Sequence, residues 1–297
     1  MRRTYALEVK GRNFALGLRT WIMGILNVTP DSFSDGGAYP DKEKAIKRGL
    51  EMIEEGADII DVGGESTRPG ARRVSEDEEM ERILPVVRGL RKSTIALLSV
   101  DTMKAPVAEA ALEAGADIVN DVSAFRFDPR MAGVVSGHGA VVVLMHMKGT
   151  PETMQSDPRY TDIFYEISWF LKDRIEEACS AGIGRERIIV DPGIGFGKSP
   201  ADNLALIDNL CFLEELSCPV LAGVSRKSFI GKALSLPVTE RLEGSIAAGV
   251  LSIARGAHIL RVHDVRAMRR AADMADAILS GKTGDEAGGD KGKGHAG

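Results

Sequence analysis

The sequence predicts an α/β fold, a (β/α)8 TIM barrel with an N-terminal β-hairpin cap. Three observations carry this reading. Short apolar runs alternate with amphipathic helical stretches along the chain. A helix-to-strand boundary repeats: Gly56-Ala57-Asp58-Ile59-Ile60-Asp61 matches Gly115-Ala116-Asp117-Ile118-Val119-Asn120, and Gly256-Ala257-His258-Ile259-Leu260-Arg261 matches both. The alternating region is about 250 residues long, the usual size of such a barrel. A doubly wound open sheet is the alternative. No G-x-G-x-x-G follows the first strand of the series, which counts against it.

The elements follow in order. Tyr5, Leu7 and Val9 alternate with polar residues, Gly11 marks a turn, and Phe14, Leu16 and Leu18 alternate again. This predicts a hairpin over residues 4–20, capping the N-terminal end of the barrel. The eight strand runs are Ile22–Leu26, Ile59–Val62, Ala96–Val100, Ile118–Val119, Ala140–Met145, Ile188–Val190, Val220–Val224 and Ile259–Val262. Helical spacing marks stretches such as Lys42–Glu55, Glu76–Arg91, Pro106–Ala114, Asp162–Ala181, Glu240–Arg255 and Val265–Leu279. In each copy of the repeat a glycine ends a helix, where left-handed backbone is needed. Residues 1–280 are expected to form one domain. Residues 281–297 lack any large apolar side chain and are expected to be a disordered tail in which His295 is incidental.

Composition narrows the function. The 297 residues carry a formal net charge of −5 with no basic stripe, which argues against a nucleic-acid binder. An anionic ligand would have to be small and held by a few local cations. The three cysteines form no C-x-x-C pair, so neither a thiolate metal site nor a disulfide framework is expected. The first 17 residues alternate charged and apolar side chains with no continuous apolar core, and are not expected to act as a signal peptide. The longest strongly apolar run, Ala140–Met145, is far short of the roughly 18 residues that span a bilayer. A soluble cytoplasmic protein is expected, with no membrane partner.

The C-terminal ends of barrel strands share one mouth, where such folds place their chemistry. Read off the sequence, they carry Asn27, Asp61 with Glu65 to Arg68, Asp101, Asn120, His146, Asp191, Ser225 to Lys227, and Arg261 with His263. Any one could be an ordinary loop polar, but packing a barrel does not require eight polar strand ends. Asp101, Asn120 and Asp191 suit the edge of a planar heterocycle with N–H donors and ring acceptors. Arg68, Arg261 and His263, with Asn27 as a neutral partner, suit an anion such as pyrophosphate. Lys227 can lie between the two groups. The loop Val28–Gly37 (VTPDSFSDGG) is longer than a turn needs and leaves the first of these strand ends.

Several motifs fail inspection. Asp191–Ser199 (DPGIGFGKS) is not a P-loop, because Pro192 stands where the first glycine is required. Its glycines would instead let the backbone bend closely around a ligand. His138 and His258 read as structural, whereas His146 stays open between site and support. No paired-histidine zinc motif and no G-x-S-x-G nucleophile elbow occurs.

Met23–Gly37, Asp61–Ala71, Ser99–Thr102 (SVDT), Val119–Asp121 (VND), Asp191–Lys198, Ser225–Lys227 (SRK) and Arg261–Val265 (RVHDV) closely resemble, in order, the motifs of the dihydropteroate synthases. The resemblance runs from about Thr20 to about Leu279. It implies a TIM barrel, usually homodimeric, that joins 6-hydroxymethyl-7,8-dihydropterin pyrophosphate to 4-aminobenzoate with Mg²⁺, releasing pyrophosphate and 7,8-dihydropteroate. Carried over residue by residue, it implies a pterin pocket of Asp101, Asn120, Asp191 and Lys227. Asn27, Arg68, Arg261 and His263 would take pyrophosphate, with Asn27 the metal ligand. Thr67, Pro69, Phe33, Phe196 and Ser225 would surround aminobenzoate. Asp35, with Phe33 and Ser34, falls on the first loop. The catalytic set expected from this is Asp101, Arg68, Lys227, Arg261, His263 and Asp35.

Two other classes compete. A pterin-binding methyltransferase that passes a methyl group from methyltetrahydrofolate to a corrinoid protein resembles this family in barrel and pterin carboxylates but needs no pyrophosphate site. A non-catalytic folate-binding or scaffold protein could retain the mouth residues for stability. Arg68, the Val28–Gly37 loop and Arg261 with His263 speak against the methyltransferase. Release of pyrophosphate on mixing the two substrates with Mg²⁺ discriminates against both.

Overall fold

The computed structural model describes residues 2–29, 38–66, 73–150, 153–154 and 158–282. The chain opens with an antiparallel hairpin, β1 (Tyr5–Val9) and β2 (Arg12–Leu16), in which Tyr5 faces Leu16 and Val9 faces Arg12. Its two-residue turn puts Lys10 and Gly11 at φ 49° and 77°, the sign that a tight hairpin turn requires at both central positions.

Eight parallel strands follow: β3 (Trp21–Asn27), β4 (Ile59–Gly63), β5 (Leu97–Asp101), β6 (Ile118–Asp121), β7 (Val141–Met145), β8 (Ile188–Asp191), β9 (Leu221–Ala222) and β10 (Ile259–Val262). Their order is β8-β7-β6-β5-β4-β3-β10-β9, and a parallel bridge between Val190 and Val220 joins the two ends. The expected closed barrel is therefore present. β9 is shorter than the apolar run Val220–Val224. Val220 gives its N–H to His258 Nδ1 at 3.1 Å instead of to the ladder, and Pro219 before it has none to give.

The helices that return the chain between strands are α1 (Ala38–Glu54), α2 (Glu76–Ser93), α3 (Ala105–Glu113), α4 (Met131–Gly137), α5 (Ile163–Ser180), α6 (Pro200–Asp208), α7 (Ser228–Leu234), α8 (Leu242–Ala254) and α9 (Val265–Ser280). Ser75, Asp162 and Ser199 accept backbone N–H bonds at the starts of α2, α5 and α6. The repeated glycines Gly56, Gly115 and Gly256 stand at φ 102°, 114° and 107°, beyond the ends of α1, α3 and α8, as the repeat predicts.

Side-chain parity positions the site. Ile22, Leu26, Ile60, Val62, Leu98 and Val100 point outward into the layer between strands and helices. Their neighbours Met23, Ile59, Leu97, Ile118, Val141, Ile189 and Ile259 point inward and pack on Leu7, Val9 and Leu16 of the hairpin. The hairpin thus plugs the N-terminal end of the barrel. Counting on by two from these inward residues reaches Asn27, Asp61, Asp101, Asn120, Asp191 and Arg261. The polar set therefore shares the interior at the opposite end.

Candidate active site

The strands align the polar residues as a row. Asn27 is level with Gly63, Gly63 with Asp101, and Asp101 with Asn120 on β3, β4, β5 and β6. Gly63 keeps the row open: a Cβ there would stand 3.5 Å from Asp101 Cβ and 3.9 Å from Asn27 Oδ1. Arg261, rising from β10, ties the row together. Its Nε donates to Asp61 Oδ2 and its Nη2 to Asp101 Oδ2, both at 2.6 Å. Asp61 Oδ2 also accepts from Asn120 Nδ2 at 3.0 Å. Asp61 is fully buried, and Asp101, Asn120 and Asp191 are nearly so.

Lys227, at the start of α7, completes the opposite wall. Its Nζ donates to the Ile194 carbonyl and lies 4.1 Å from the centre of the Phe196 ring. Gly223 leaves space beside it, since a Cβ there would come within 3.9 Å of Lys227 Nζ and 4.0 Å of Arg261 Cβ. Asp191 turns its Oδ1 back on the Gly193 N–H at 2.6 Å, which folds the following segment over the barrel rim. Ser225 Oγ accepts from the His263 backbone N–H at 3.2 Å and lies 3.1 Å from His263 Nδ1.

The charges are poised. Burial pushes the Asp101 carboxyl up to about 7, against the pull of the Arg261 guanidinium. Burial raises Asp191 as well, with Lys227 opposing. Burial lowers the Lys227 ammonium to about 7, with Asp191 countering. For Arg261 burial disfavours the charge, but Asp61 and Asp101 together outweigh it and the net shift is upward. The wall thus holds one fixed cation, with an acid and a base that both change state near neutrality. Such a surface can bind a heterocycle that presents donors along one edge and carries positive charge.

Of the residues expected from the sequence, Asn27, Asp101, Asn120, Asp191, Lys227 and Arg261 converge at this mouth, with Phe196 against Lys227 and Ser225 against His263. Arg261, sorted by its chemistry with the anion group, is bonded directly to Asp101 of the heterocycle group. Phe33, Ser34, Asp35, Thr67, Arg68 and Pro69 lie outside the described residues, as do the rest of 30–37 and 67–72. His258 is structural as expected, with Nδ1 on Val220 N and Nε2 3.0 Å from Arg3 O.

Two features escaped the sequence. Asp61 was visible as a strand-end polar residue, but not as the carboxylate that orients both Arg261 and Asn120. Lys198 reads there as part of a failed P-loop and of the Asp191–Lys198 motif, without a role of its own. Its side chain is buried and reaches His146. A lysine closing the otherwise uncharged, glycine-rich stretch Pro192–Gly197 was the available signal.

A closed parallel barrel whose mouth gathers carboxylates, an amide, a lysine and an arginine defines a small-ligand enzyme site. The family model for "Pterin binding enzyme" matches residues 23–263. The dihydropteroate synthase of Bacillus subtilis (strain 168) is 46% identical over 278 residues, covering 94% of this chain and 95% of that protein. The structure of Xanthomonas albilineans dihydropteroate synthase with 4-aminobenzoic acid superposes with a TM-score of 0.87 at 46% identity, covering 94% of this chain and 99% of that one. Yersinia pestis dihydropteroate synthase in a sulfonamide drug complex gives a TM-score of 0.87 at 42% identity, covering 93% and 99%. The chain belongs to the dihydropteroate synthase family.

Proposed function

We infer that the protein is a transferase that condenses 6-hydroxymethyl-7,8-dihydropterin pyrophosphate with 4-aminobenzoate, giving 7,8-dihydropteroate and pyrophosphate in folate biosynthesis. The observation that carries this reading is the row Asn27–Asp101–Asn120 closed by Asp191, Lys227 and Arg261. It offers a donor-rich heterocycle its acceptors and a departing anion its cation in one mouth. Family membership supports the same reading.

Asp101, Asn120, Asp191 and Lys227 bind the pterin edge, the carboxylates accepting its N–H groups. The C–O bond between the pterin methylene and pyrophosphate breaks, and its electron pair leaves with the pyrophosphate oxygen. Positive charge then spreads into the electron-rich ring, beside Asp101 and Asp191, whose ionised forms favour it. Arg261 meets the leaving group, with His263 and Arg68 expected beside it. The aryl amine is uncharged near pH 7 and needs no covalent enzyme nucleophile; its lone pair forms the C–N bond and its extra proton passes to solvent. Thr67, Pro69, Phe33, Phe196 and Ser225 are read as the aminobenzoate wall, and Asp35 as part of the first loop that excludes water.

The donor set fits Mg²⁺ only as a partner of the substrate. Asn27 supplies one neutral hard oxygen, and among the described residues no cluster of three or more His, Cys, Asp or Glu could hold a metal ion. Bound with pyrophosphate oxygens, the ion would neutralise leaving-group charge, with Asn27 as its protein ligand.

Residues 1–280 are read as one working domain in a cytoplasmic homodimer. Among the described residues no helix is long and apolar enough to cross a membrane. Leu204, Leu234, Val238 and Leu251 on and beside the neighbouring helices α6–α8 are each 50–53% exposed, which suits a second copy. Sedimentation of the pure protein tests the dimer. The activity is tested by mass spectrometry of the mixed substrates with Mg²⁺: 7,8-dihydropteroate should form one for one with pterin consumed, whereas no dihydropteroate here together with methyl transfer from methyltetrahydrofolate to a corrinoid in a parallel assay would mark the methyltransferase instead.

A further inference from the structure

The segment Asp191–Ser199 crosses the barrel rim between β8 and α6, and its conformation is demanding. Gly193, Gly195 and Gly197 stand at φ 69°, 86° and 61°, which L side chains rarely adopt. A Cβ on Gly193 would meet His146 O at 1.8 Å, and one on Gly195 would meet Lys227 Cδ at 2.6 Å. The backbone is therefore pressed against both β7's exit and Lys227. Such a run needs an anchor, since glycine gives up more conformational freedom on ordering than any other residue.

That anchor is Lys198, a lysine 3% exposed that takes no part in the proposed chemistry. Its Nζ donates to Phe196 O at 2.9 Å and to His146 O at 3.4 Å, and lies 3.0 Å from His146 Nδ1. Burial pulls Lys198 well below the ordinary lysine range, with Asp191 opposing, and the three acceptors around Nζ favour the ammonium, whose three N–H groups they meet. His146 is suited to the partnership. Burial, with the Lys198 charge adding to it, lowers its imidazole to about 2, so the ring is neutral and Nδ1 can accept. The ring is fixed edge-on to Phe170 with centroids 5.0 Å apart, and its backbone N–H holds Asp191 O at 2.9 Å. Phe196 follows the anchor: its carbonyl is bonded to Lys198 and its N–H to Gly193 O at 2.9 Å, and its ring lies against Lys227.

We propose that Lys198 is a positioning residue: its ammonium pins the Asp191–Ser199 segment to His146 and thereby holds Phe196 over Lys227 in the barrel mouth. The proposal rests on the condensation reading only for its kinetic consequence. The pterin carboxylates Asp101 and Asp191 and the amide Asn120 sit on strands β5, β8 and β6, so they should keep their places without the pin. The Phe196 wall should not.

Lys198→Met keeps most of the length and removes the donors. It should raise KM for 4-aminobenzoate about tenfold or more, with kcat changed less than about threefold and a smaller loss of pterin pyrophosphate affinity by calorimetry, passed on through the Lys227–Ile194 contact. His146→Gln, whose amide oxygen can still accept, should stay near wild type, whereas His146→Leu should reproduce the Lys198→Met defect. These two variants carry the kinetic test if Lys198→Met does not fold. In nitrogen-15 spectra the His146 ring should be the Nε2–H tautomer, with the Nδ1 signal, identified by its loss in His146→Gln, moving toward that of an unbonded imidazole in Lys198→Met or Lys198→Leu. Equal kinetics for His146→Gln and His146→Leu, or all kinetic constants falling together with melting temperature, would overturn the positioning role. An Nδ1 signal unmoved by substitution of Lys198 would overturn the pin itself. The spectra need no turnover, so a wild-type protein that makes no dihydropteroate would count against the proposed function and leave the pin to be judged on its own.

Discussion

Arg261 Nη2 and Asp101 Oδ2 meet at 2.6 Å across the barrel mouth, with strands β3 and β4 between their own strands β10 and β5. The same guanidinium holds Asp61 through Nε. Removing it should strand two buried carboxylates. Arg261→Ala is expected to cost on the order of 3 kcal/mol in stability. It should also lower kcat/KM for the pterin pyrophosphate by roughly 100-fold or more. Arg261→Lys should rescue little, because one ammonium cannot reproduce the planar fork that bonds both acids. Denaturant unfolding and initial rates check both effects, and an unaltered rate at low substrate would remove Arg261 from the anion's path.

The pH dependence of stability separates Asp101 from Lys227. Burial raises Asp101 to about 7, so between its unfolded value near 4 and pH 7 the unfolded chain releases this proton first. Its contribution to stability should fall as pH rises through that window and level off above it. Burial lowers Lys227 to about 7, so between pH 7 and roughly 10 the unfolded chain holds the extra proton and stability should rise with pH. Asp101→Asn should make the falling limb shallower, the remainder belonging to buried acids such as Asp191, and Lys227→Met should make the rising limb shallower, the remainder belonging to buried Lys198. Unfolding curves at unit pH steps measure both.

Activity should follow the same two groups. Pterin binding uses ionised Asp101 and protonated Lys227, and both change state near neutrality in the free protein. kcat/KM for the pterin substrate should therefore be bell-shaped with a maximum near pH 7. Lys227→Ala should weaken pterin binding about 10- to 100-fold, the size of a lost charged hydrogen bond. Unchanged affinity by calorimetry would exclude Lys227 from the pocket.

Two glycines should respond oppositely to one added methyl. At Gly193 the backbone is left-handed and a Cβ would overlap His146 O, so Gly193→Ala should cost roughly 3 kcal/mol or more. Gly133 is exposed in helix α4 with nothing within 4 Å of an added Cβ, so Gly133→Ala should stabilise by about 0.5–1 kcal/mol. Thermal or denaturant melts of the two variants, read side by side, decide it.

Much of this architecture was legible in the chain because a parallel strand buried on both faces reads as an unbroken apolar run. Each run that stops on a polar residue marks the mouth. That is how Asn27, Asp101, Asn120 and Asp191 stood out, and how the glycine repeats at positions 56, 115 and 256 gave the register. Contacts between distant residues were not legible. Asp61 and Arg261 are 200 positions apart, and Lys198 and His146 are 52 apart. Barrel closure brings the first pair together, and a glycine-rich crossing brings the second. Neither leaves a periodic trace. The short strand β9 was overread because an apolar run does not reveal that His258 takes the Val220 N–H.

The most direct measurement is pyrophosphate release when the purified protein meets dihydropterin pyrophosphate, 4-aminobenzoate and Mg²⁺. Release should require both substrates, occur once per pterin consumed, and be inhibited by a sulfonamide in competition with 4-aminobenzoate. No release above the uncatalysed background, or release that ignores the arylamine, would contradict the condensation assigned to this barrel.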